Sequence, residues 1–308
     1  MNSETVLNHA FWQNCVPSLT LSANLTPSFE RVTFGAEELL AASDELREDA
    51  YHITRPIIPK SIRKSLIDGI DQMVSSGLDA TWALMFDEFW LMYSTVSKLI
   101  SHLLGPDYCH VTGNYVFIVQ NSDDATGWGV HRDLPFRRSI NSDGMPEIMS
   151  CWVALTDATP LNSCLYCVPG SRDENYPLNL TDHSVRNLSD IRCLTVEAGQ
   201  IIVLNHSLLH WGSRSSSRGR GRRISLVFDV QRGDVPSYHY ALLDPRSDMS
   251  FEQRAAYIAH VILWLNRYNV KFSTLDLSIA RTIALSFGNS IGLTRQFSDE
   301  YVTPRPEV

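Results

Sequence analysis

An imidazole and a carboxylate stand two residues apart in the stretch TGWGVHRDLPF, residues 126–136. If this segment is an extended strand, His131 and Asp133 point to the same side, because side chains alternate along a strand. An imidazole and a carboxylate on one side can bind the same metal ion. A metal site needs at least one more ligand, which another part of the chain must supply.

The segment VEAGQIIVLNHSLLHWGS, residues 196–213, offers two histidines for the third position. EAGQ predicts a turn and IIVL a buried strand, and His206 and His210 follow. Two imidazoles and one carboxylate leave coordination positions open, a ligand set that suits non-haem Fe(II) oxygen chemistry. His206 and His210 have the same parity in a strand, so spacing alone does not choose between them.

The elements that must position these residues form a strand-rich centre with helical ends. Helical periodicity occurs before and after a series of short segments rich in β-branched and aromatic residues, which are separated by turn formers. The predicted helices are 58–77, 86–105, 250–268 and 274–288, and the predicted strand segments are 110–120, 147–158, 163–171, 192–212 and 222–232. This order predicts a mainly β fold with flanking helices, a double-stranded β-helix of the jelly-roll, cupin-like kind.

We expect one domain over residues 1–308. Residues 1–107 would supply N-terminal strands and support helices, residues 108–232 the double-stranded β-helix core, and residues 246–308 a C-terminal helical extension. The helix at 250–268 carries an apolar stripe that needs a partner surface. It can support the jelly roll, cap the pocket mouth or form a homodimer contact.

Composition narrows the functional classes. The chain has 308 residues, of which 44% are hydrophobic and 19% charged, and a net charge of −8, which disfavours generic binding to nucleic acid or anionic membranes. We find neither an apolar run long enough for a membrane span nor a signal peptide pattern. Six scattered cysteines indicate a reducing cytoplasm. Cys164 and Cys167 are interpreted as buried thiols, because a zinc knuckle would need a second pair.

Four segments together resemble the signature of the phytanoyl-CoA dioxygenase family. They are HRD, CWVALTDATPLNSCLYCVPGSRD, EAGQIIVLNHSLLHWGS and RRISLVFDV, in this order, within about residues 108–232. The resemblance implies an Fe(II)- and 2-oxoglutarate-dependent oxygenase that uses O2, with ascorbate as an optional reductant. In that family the distal histidine directly precedes a Gly-Ser pair, whereas here Trp211 is inserted between His210 and Gly212.

The resemblance implies roles for individual residues. It assigns the metal to His131, Asp133 and His210, leaves His206 as a non-ligand histidine, and places Trp152 beside the 2-oxoglutarate.

The family also implies an arginine that pairs with the far carboxylate of 2-oxoglutarate, and several arginines are available. In a strand RISLVFDV, Arg223 and Ser225 share one face and Arg222 lies on the other. A guanidinium meets a carboxylate with two parallel hydrogen bonds, and Arg-x-Ser resembles the carboxylate-binding pair of related oxygenases. Arg223, with Ser225 as helper, is therefore preferred, and Arg220 and Arg222 remain alternatives.

The expected reaction is oxidation of a small or medium-sized metabolite in a biosynthetic pathway, with release of succinate and CO2. Family halogenases have a small residue in place of Asp133, so the aspartate favours hydroxylation or a related oxidation. Trp128 and Phe136 are candidate pocket walls, and Arg137 and Arg138 candidate contacts to an acidic substrate group. The alternatives are a cupin-type metalloenzyme that does not use 2-oxoglutarate and a non-catalytic jelly-roll binding protein.

Overall fold

The computed structural model describes residues 3–26, 32–135, 139–238, 242–268 and 270–292. Among these residues, no helix is long and apolar enough to cross a membrane. The helices are α1 (Ser3–Val6), α2 (His9–Cys15), α3 (Ala36–Glu48), α4 (Lys60–Ser75), α5 (Asp87–Ser94), α6 (Ser97–Leu104), α7 (Phe251–Leu265) and α8 (Thr274–Phe287). The strands are β1 (Asn24–Leu25), β2 (Tyr51–Ile53), β3 (Cys109–Val119), β4 (Ile148–Ala154), β5 (Leu165–Val168), β6 (Arg192–Leu194), β7 (Ile201–Asn205), β8 (Leu209–Gly212), β9 (Arg223–Gln231), β10 (Leu242–Leu243) and β11 (Met249–Ser250).

The strands build a larger and a smaller antiparallel sheet. The larger sheet has six strands in the order β10-β3-β9-β4-β7-β2, and the smaller sheet has three in the order β6-β5-β8. A third, two-stranded pairing joins β1 to β11 at the edge of the fold. Together with the flanking helices, the two main sheets make up the helix-decorated jelly roll that the sequence predicts, so the predicted fold class is confirmed.

The larger sheet lies between two hydrophobic cores, so its central strands are buried on both faces. Cys151 and Leu226 are among the residues that face the flanking helices, whereas Trp152 and Val227 face the smaller sheet. In β4 every residue is buried and all but Ser150 are apolar, so its sequence lacks the apolar–polar alternation of a half-exposed strand. The site described below lies on the face that looks towards the smaller sheet.

The single helix predicted over 86–105 is wrong, because the segment forms two helices. The break falls at Thr95 and Val96, between α5 and α6. The Ser94 hydroxyl donates to the Trp90 carbonyl at 3.1 Å and the Thr95 hydroxyl to the Met92 carbonyl at 2.7 Å. Hydroxyl groups that bond to nearby carbonyls compete with regular helix hydrogen bonds, and two of them lie where α5 ends.

Helix α7 is a core helix rather than a surface cap. Twelve of its fifteen residues are buried, and it packs on α8 and on β3. The Tyr257 hydroxyl donates to Asn114 Oδ1 at 2.9 Å, and Asn114 belongs to β3 of the larger sheet. The fully buried Arg254 donates to three backbone carbonyls, those of Met85, Met249 and Ser22. The burial of α7 favours permanent support over a movable lid or a dimer contact for this helix.

Replacing Arg254 by leucine should lower the free energy of unfolding by about 3–5 kcal/mol. Arg254 Nη2 lies 3.1 Å from Asp87 Oδ1, and both side chains are almost completely buried, so the variant leaves a carboxylate unpaired in the interior. Urea unfolding followed by circular dichroism measures the change. The matched control is Arg246→Leu: Arg246 pairs with Asp107 and Asp244 at the surface, where a pair contributes about 1 kcal/mol or less. Equal losses in the two variants would contradict a structural role for the buried pair.

Candidate metal centre

The HRD segment is not a regular strand, so the parity assumed for His131 and Asp133 is only approximate. The backbone pairs through two isolated bridges, Thr126 with Arg214 and His131 with His210. In the second bridge the two histidines exchange N–H···O bonds of 3.0 Å in both directions. These two hydrogen bonds place the HRD segment beside β8, so one backbone pairing sets the positions of two candidate ligands.

Two glycines let these segments approach each other. A Cβ on Gly212 would stand 2.6 Å from the Cα of Gly127, and a Cβ on Gly127 would stand equally close to Gly212. A side chain at either position would therefore collide with backbone. The close contact of the two segments that carry the histidines thus explains why glycine stands at positions 127 and 212.

The side chains of His131, Asp133 and His210 converge on one point. Their candidate ligand atoms all lie within 4.8 Å of one another, and among the described residues this is the one such group. His131 Nε2 lies 3.4 Å from Asp133 Oδ1, and the two imidazole centres are 4.3 Å apart. His210 is buried, whereas His131 and Asp133 are half-buried and open one side of the group to solvent.

Both imidazoles are held by their other nitrogen. His131 Nδ1 lies 2.7 Å from the Gly129 carbonyl, and His210 Nδ1 lies 3.0 Å from the Leu208 carbonyl. A carbonyl only accepts, so each Nδ1 carries the proton and each Nε2 keeps a lone pair. This arrangement, in which the outer nitrogen fixes the ring and the tautomer, is characteristic of histidine metal ligands.

The electrostatics favour the ligand forms of two of the three groups. Burial lowers the pKa of His210 to about 4, so that its imidazole is neutral at neutral pH. Burial raises the pKa of Asp133, but the neighbouring imidazoles of His210 and His131 lower it more, and the net pKa is well below the ordinary value. For His131, burial lowers the pKa and the bond to Asp133 outweighs this, so the net pKa is raised.

His206 points into a separate polar network. It lies in the turn between β7 and β8, and its Nε2 is 2.9 Å from Ser150 Oγ and 3.5 Å from Asp229 Oδ1. The Ser150 hydroxyl donates to Asp229 at 2.7 Å, so the three side chains form a buried cluster. The turn at 206–208 breaks the strand, and His206 and His210 no longer share a face as they would in a continuous strand.

Arg223 is a buried guanidinium on the same inner face. It lies at the start of β9 with 1% of its surface exposed, and its Nη1 donates to Ser225 Oγ at 2.5 Å. Its guanidinium carbon lies 5.4 Å from the centre of the Trp152 ring. Among the described residues no carboxylate pairs with Arg223, and its Nε has no hydrogen-bond partner. Burial lowers its pKa to about 10, so it remains charged at neutral pH.

The two alternative arginines are placed elsewhere. Arg222 Nη2 binds both carboxylate oxygens of Asp71 in α4, at 2.7 and 2.6 Å, on the outer face of the larger sheet. Arg220 is exposed in the preceding loop. Arg223 is thus the member of this trio that faces the interior beside Trp152 and Ser225.

An aromatic surface adjoins the ligand group. Trp128 is 36% exposed and its ring centre lies 5.7 Å from that of His131. Phe117 and Tyr115 of β3 pack against Trp128, and Phe272, just before α8, contacts Tyr115. The other proposed pocket residues, Phe136, Arg137 and Arg138, lie outside the described residues.

Arg132, between the two candidate ligands, is the site residue that sequence reasoning missed. In an extended HRD segment the Arg132 side chain would point to the side opposite His131 and Asp133, and the sequence indicates no partner for it; in the structure the residue is buried. Its Nη1 donates to the Ser207 carbonyl at 2.6 Å, and its Nη2 to Asp173 Oδ2 at 2.7 Å and the Asp182 carbonyl at 3.3 Å. It therefore ties the HRD segment to the turn before β8 and to the loop after β5. The one indication in the sequence is Asp173 in PGSRD, a carboxylate that could pair with a buried arginine.

We expect Arg132→Ala to lower the free energy of unfolding by about 3–5 kcal/mol, because it leaves Asp173 unpaired in the interior. The double variant Arg132→Ala/Asp173→Ala should lose less than the sum of the two single variants, since it removes both charges. Urea unfolding of the four proteins yields the coupling free energy directly. Strictly additive losses would show that the two side chains do not interact energetically.

The model of the phytanoyl-CoA dioxygenase (PhyH) family matches residues 36–224. The chain belongs to the phytanoyl-CoA dioxygenase family. It is accordingly a non-haem oxygenase that depends on iron and 2-oxoglutarate, as the resemblance of its motifs implied. The match begins well before the residues on which that resemblance was based and ends in β9, so α7 and α8 lie outside it.

Solved structures share the fold at low sequence identity. AviO1 from Streptomyces viridochromogenes Tue57 is 17% identical with a TM-score of 0.51, over 66% of this chain and 99% of that chain. A nickel complex of the non-haem monooxygenase ThoJ is 16% identical with a TM-score of 0.50, over 85% of this chain and all of that chain. No curated protein matches the sequence.

Proposed function

We propose that this oxygenase hydroxylates a small or medium-sized organic metabolite, with His131, Asp133 and His210 as the iron ligands. In the same proposal Arg223 and Ser225 bind the far carboxylate of 2-oxoglutarate, and Trp152 lies beside it. The products from 2-oxoglutarate would be succinate and CO2. The ThoJ structure, which shares the fold, is described as a non-haem monooxygenase in complex with nickel.

The observation that carries the proposal is the unpaired charge of Arg223. A buried guanidinium without a counterion is costly, and proteins keep such groups where a ligand supplies the missing charge. The far carboxylate of 2-oxoglutarate has the required charge and matches the fork of the guanidinium. Ser225 provides a hydroxyl next to the guanidinium, which fits a carboxylate with two oxygens to satisfy.

The residues of the ligand group fit Fe(II) by their chemistry. Two Nε2 lone pairs and one carboxylate are a ligand set typical of non-haem iron, and the half-buried side leaves room for further ligands. Bound iron would supply the activation of O2, which protein side chains alone do not provide. The chain's own contribution is to hold the ligands through Gly129 and Leu208, to hold the co-substrate through Arg223, and to present an apolar wall to the substrate.

Trp128 is the substrate contact that we propose. It is the most exposed ring of the aromatic surface and lies directly beside His131. An apolar or aromatic part of a substrate would stack on it and bring a C–H bond close to the ligand group. Asp133 favours hydroxylation over halogenation, because it occupies the position that a halide would need.

The test is a substrate screen that measures succinate release under air with Fe(II) and 2-oxoglutarate, with and without ascorbate. Candidate metabolites should raise succinate release above the substrate-free level, and mass spectrometry of the product should show one added oxygen atom. Substrate oxidation that needs the metal but proceeds without 2-oxoglutarate would instead support the cupin-type alternative. Metal binding without any turnover of 2-oxoglutarate, with or without a candidate metabolite, would support the non-catalytic alternative. A reducing, cytoplasmic location is part of the proposal and agrees with six free cysteines.

A further inference from the structure

Two cysteines of the smaller sheet lie in direct contact. The sulfur atoms of Cys164, just before β5, and Cys193, in β6, are 3.3 Å apart, and both thiols are free. Strands β5 and β6 are hydrogen-bonded neighbours, with Tyr166 opposite Cys193. A disulfide has a sulfur–sulfur distance of about 2.05 Å, so closure requires a movement of little more than 1 Å.

The two thiols differ in access. Cys193 is exposed and lies on an edge strand of the smaller sheet, whereas Cys164 is fully buried. Burial raises the pKa of the Cys164 thiol, which further reduces its reactivity towards reagents in solution. A reagent in solution therefore meets Cys193 first, with Cys164 positioned to react second.

We infer that Cys164 and Cys193 form a reversible dithiol–disulfide site, oxidised by low-molecular-weight disulfides such as oxidised glutathione. In the first step the Cys193 thiolate attacks the reagent, a Cys193–glutathione disulfide forms and one glutathione thiolate leaves. In the second step Cys164 gives up its proton and attacks the Cys193 sulfur, releasing the second glutathione. Two protein thiols are thus oxidised to one disulfide, and one oxidised glutathione is reduced to two molecules of glutathione.

The surroundings distinguish this pair from a metal site and place it near the reaction centre. Among the described residues, the candidate metal group contains no cysteine. Strand β5 pairs with β6 on one side and with β8 on the other, where Cys167 lies opposite His210. The Cys164 carbonyl accepts from the Ser213 N–H at 3.0 Å, directly after β8. A disulfide here would link the outer edge of the sheet to the strand next to the candidate metal ligand.

The test treats the full-length chain with oxidised glutathione under air-free conditions, followed by alkylation and peptide mapping. The wild-type chain should lose two thiols and yield one cross-linked peptide pair that contains Cys164 and Cys193, and dithiothreitol should reverse it. In Cys164→Ser the glutathione adduct on Cys193 should persist, at a level at least about tenfold above that in the wild type, because the neighbouring thiol no longer displaces it. Cys193→Ser should show neither the cross-link nor the adduct.

Cys109→Ser is the matched control, since Cys109 is a half-buried thiol on β3, outside the smaller sheet, and its loss should leave the cross-link unchanged. A stable glutathione adduct on Cys193 of the wild-type chain, without a cross-link, would overturn the inference. A cross-link that joins Cys193 to a cysteine other than Cys164 would overturn it as well. Neither measurement depends on iron or on turnover, so the result stands apart from the proposed function.

Discussion

Replacing His210 by alanine should weaken Fe(II) binding by at least about 100-fold, whereas replacing His206 by alanine should leave it nearly unchanged. Loss of a residue that merely orients a ligand typically costs 10–100-fold in metal affinity, and loss of the ligand itself should cost more. His210 places its Nε2 within the ligand group, whereas His206 directs its Nε2 to Ser150 and Asp229. Titration of the anaerobic protein with Fe(II), or with Co(II) as a spectroscopic substitute, measures the affinity.

The stability of the two variants must be measured alongside, because His206 belongs to a buried network and its loss will lower the free energy of unfolding. Metal content is therefore expressed per folded chain. His131→Ala and Asp133→Ala should behave like His210→Ala. If His206→Ala abolishes iron binding while His210→Ala spares it, the proposed distal ligand is wrong.

Replacing Arg223 by methionine should weaken 2-oxoglutarate binding by roughly 30-fold or more, about 2 kcal/mol or more, while the iron affinity stays the same. The arginine holds no anion of the described chain, so its charge is available for the co-substrate. The far carboxylate would then have no cationic partner in a dry pocket. Calorimetric titration of the metal-loaded protein with 2-oxoglutarate measures the loss.

Two controls make this test specific. Arg222→Ala removes a pair with Asp71 on the outside of the sheet and should leave 2-oxoglutarate binding unchanged. 2-Oxobutanoate lacks the far carboxylate, so its weak binding should be about equal in the wild type and in the Arg223 variant. Unchanged affinity for 2-oxoglutarate in the variant would refute the assignment.

The same substitution weakens co-substrate binding but should not lower the stability of the ligand-free protein. Without ligand, the wild-type chain bears the cost of a buried, unpaired guanidinium, so Arg223→Met should be as stable as the wild type or more stable. Addition of 2-oxoglutarate should raise the melting temperature of the metal-loaded wild type but not of the variant. This pattern is expected of a charge kept for binding at the expense of stability.

Local sequence patterns predicted most of the elements and two of the three candidate ligands. Short segments rich in β-branched and aromatic residues placed β4 and β9, and helical apolar stripes placed α7 and α8, to within a few residues. The HxD spacing indicated His131 and Asp133, and the resemblance to the family chose His210 over His206; the structure brings the candidate ligand atoms of the three within 4.8 Å. Strand parity placed Arg223 and Arg222 on opposite faces, since alternation follows from backbone geometry, and the Arg-x-Ser resemblance preferred Arg223.

Other features depended on contacts between segments far apart in the chain, and no local pattern encodes them. Parity could not separate His206 from His210, because a turn between β7 and β8 interrupts the strand. The partner of Arg132 lies 41 residues away and the partner of Cys164 lies 29 residues away. Only the tertiary structure decided that Arg222 meets Asp71 outside while Arg223 is buried without a counterion, since which face of a strand is covered depends on the sheets and helices that pack on it.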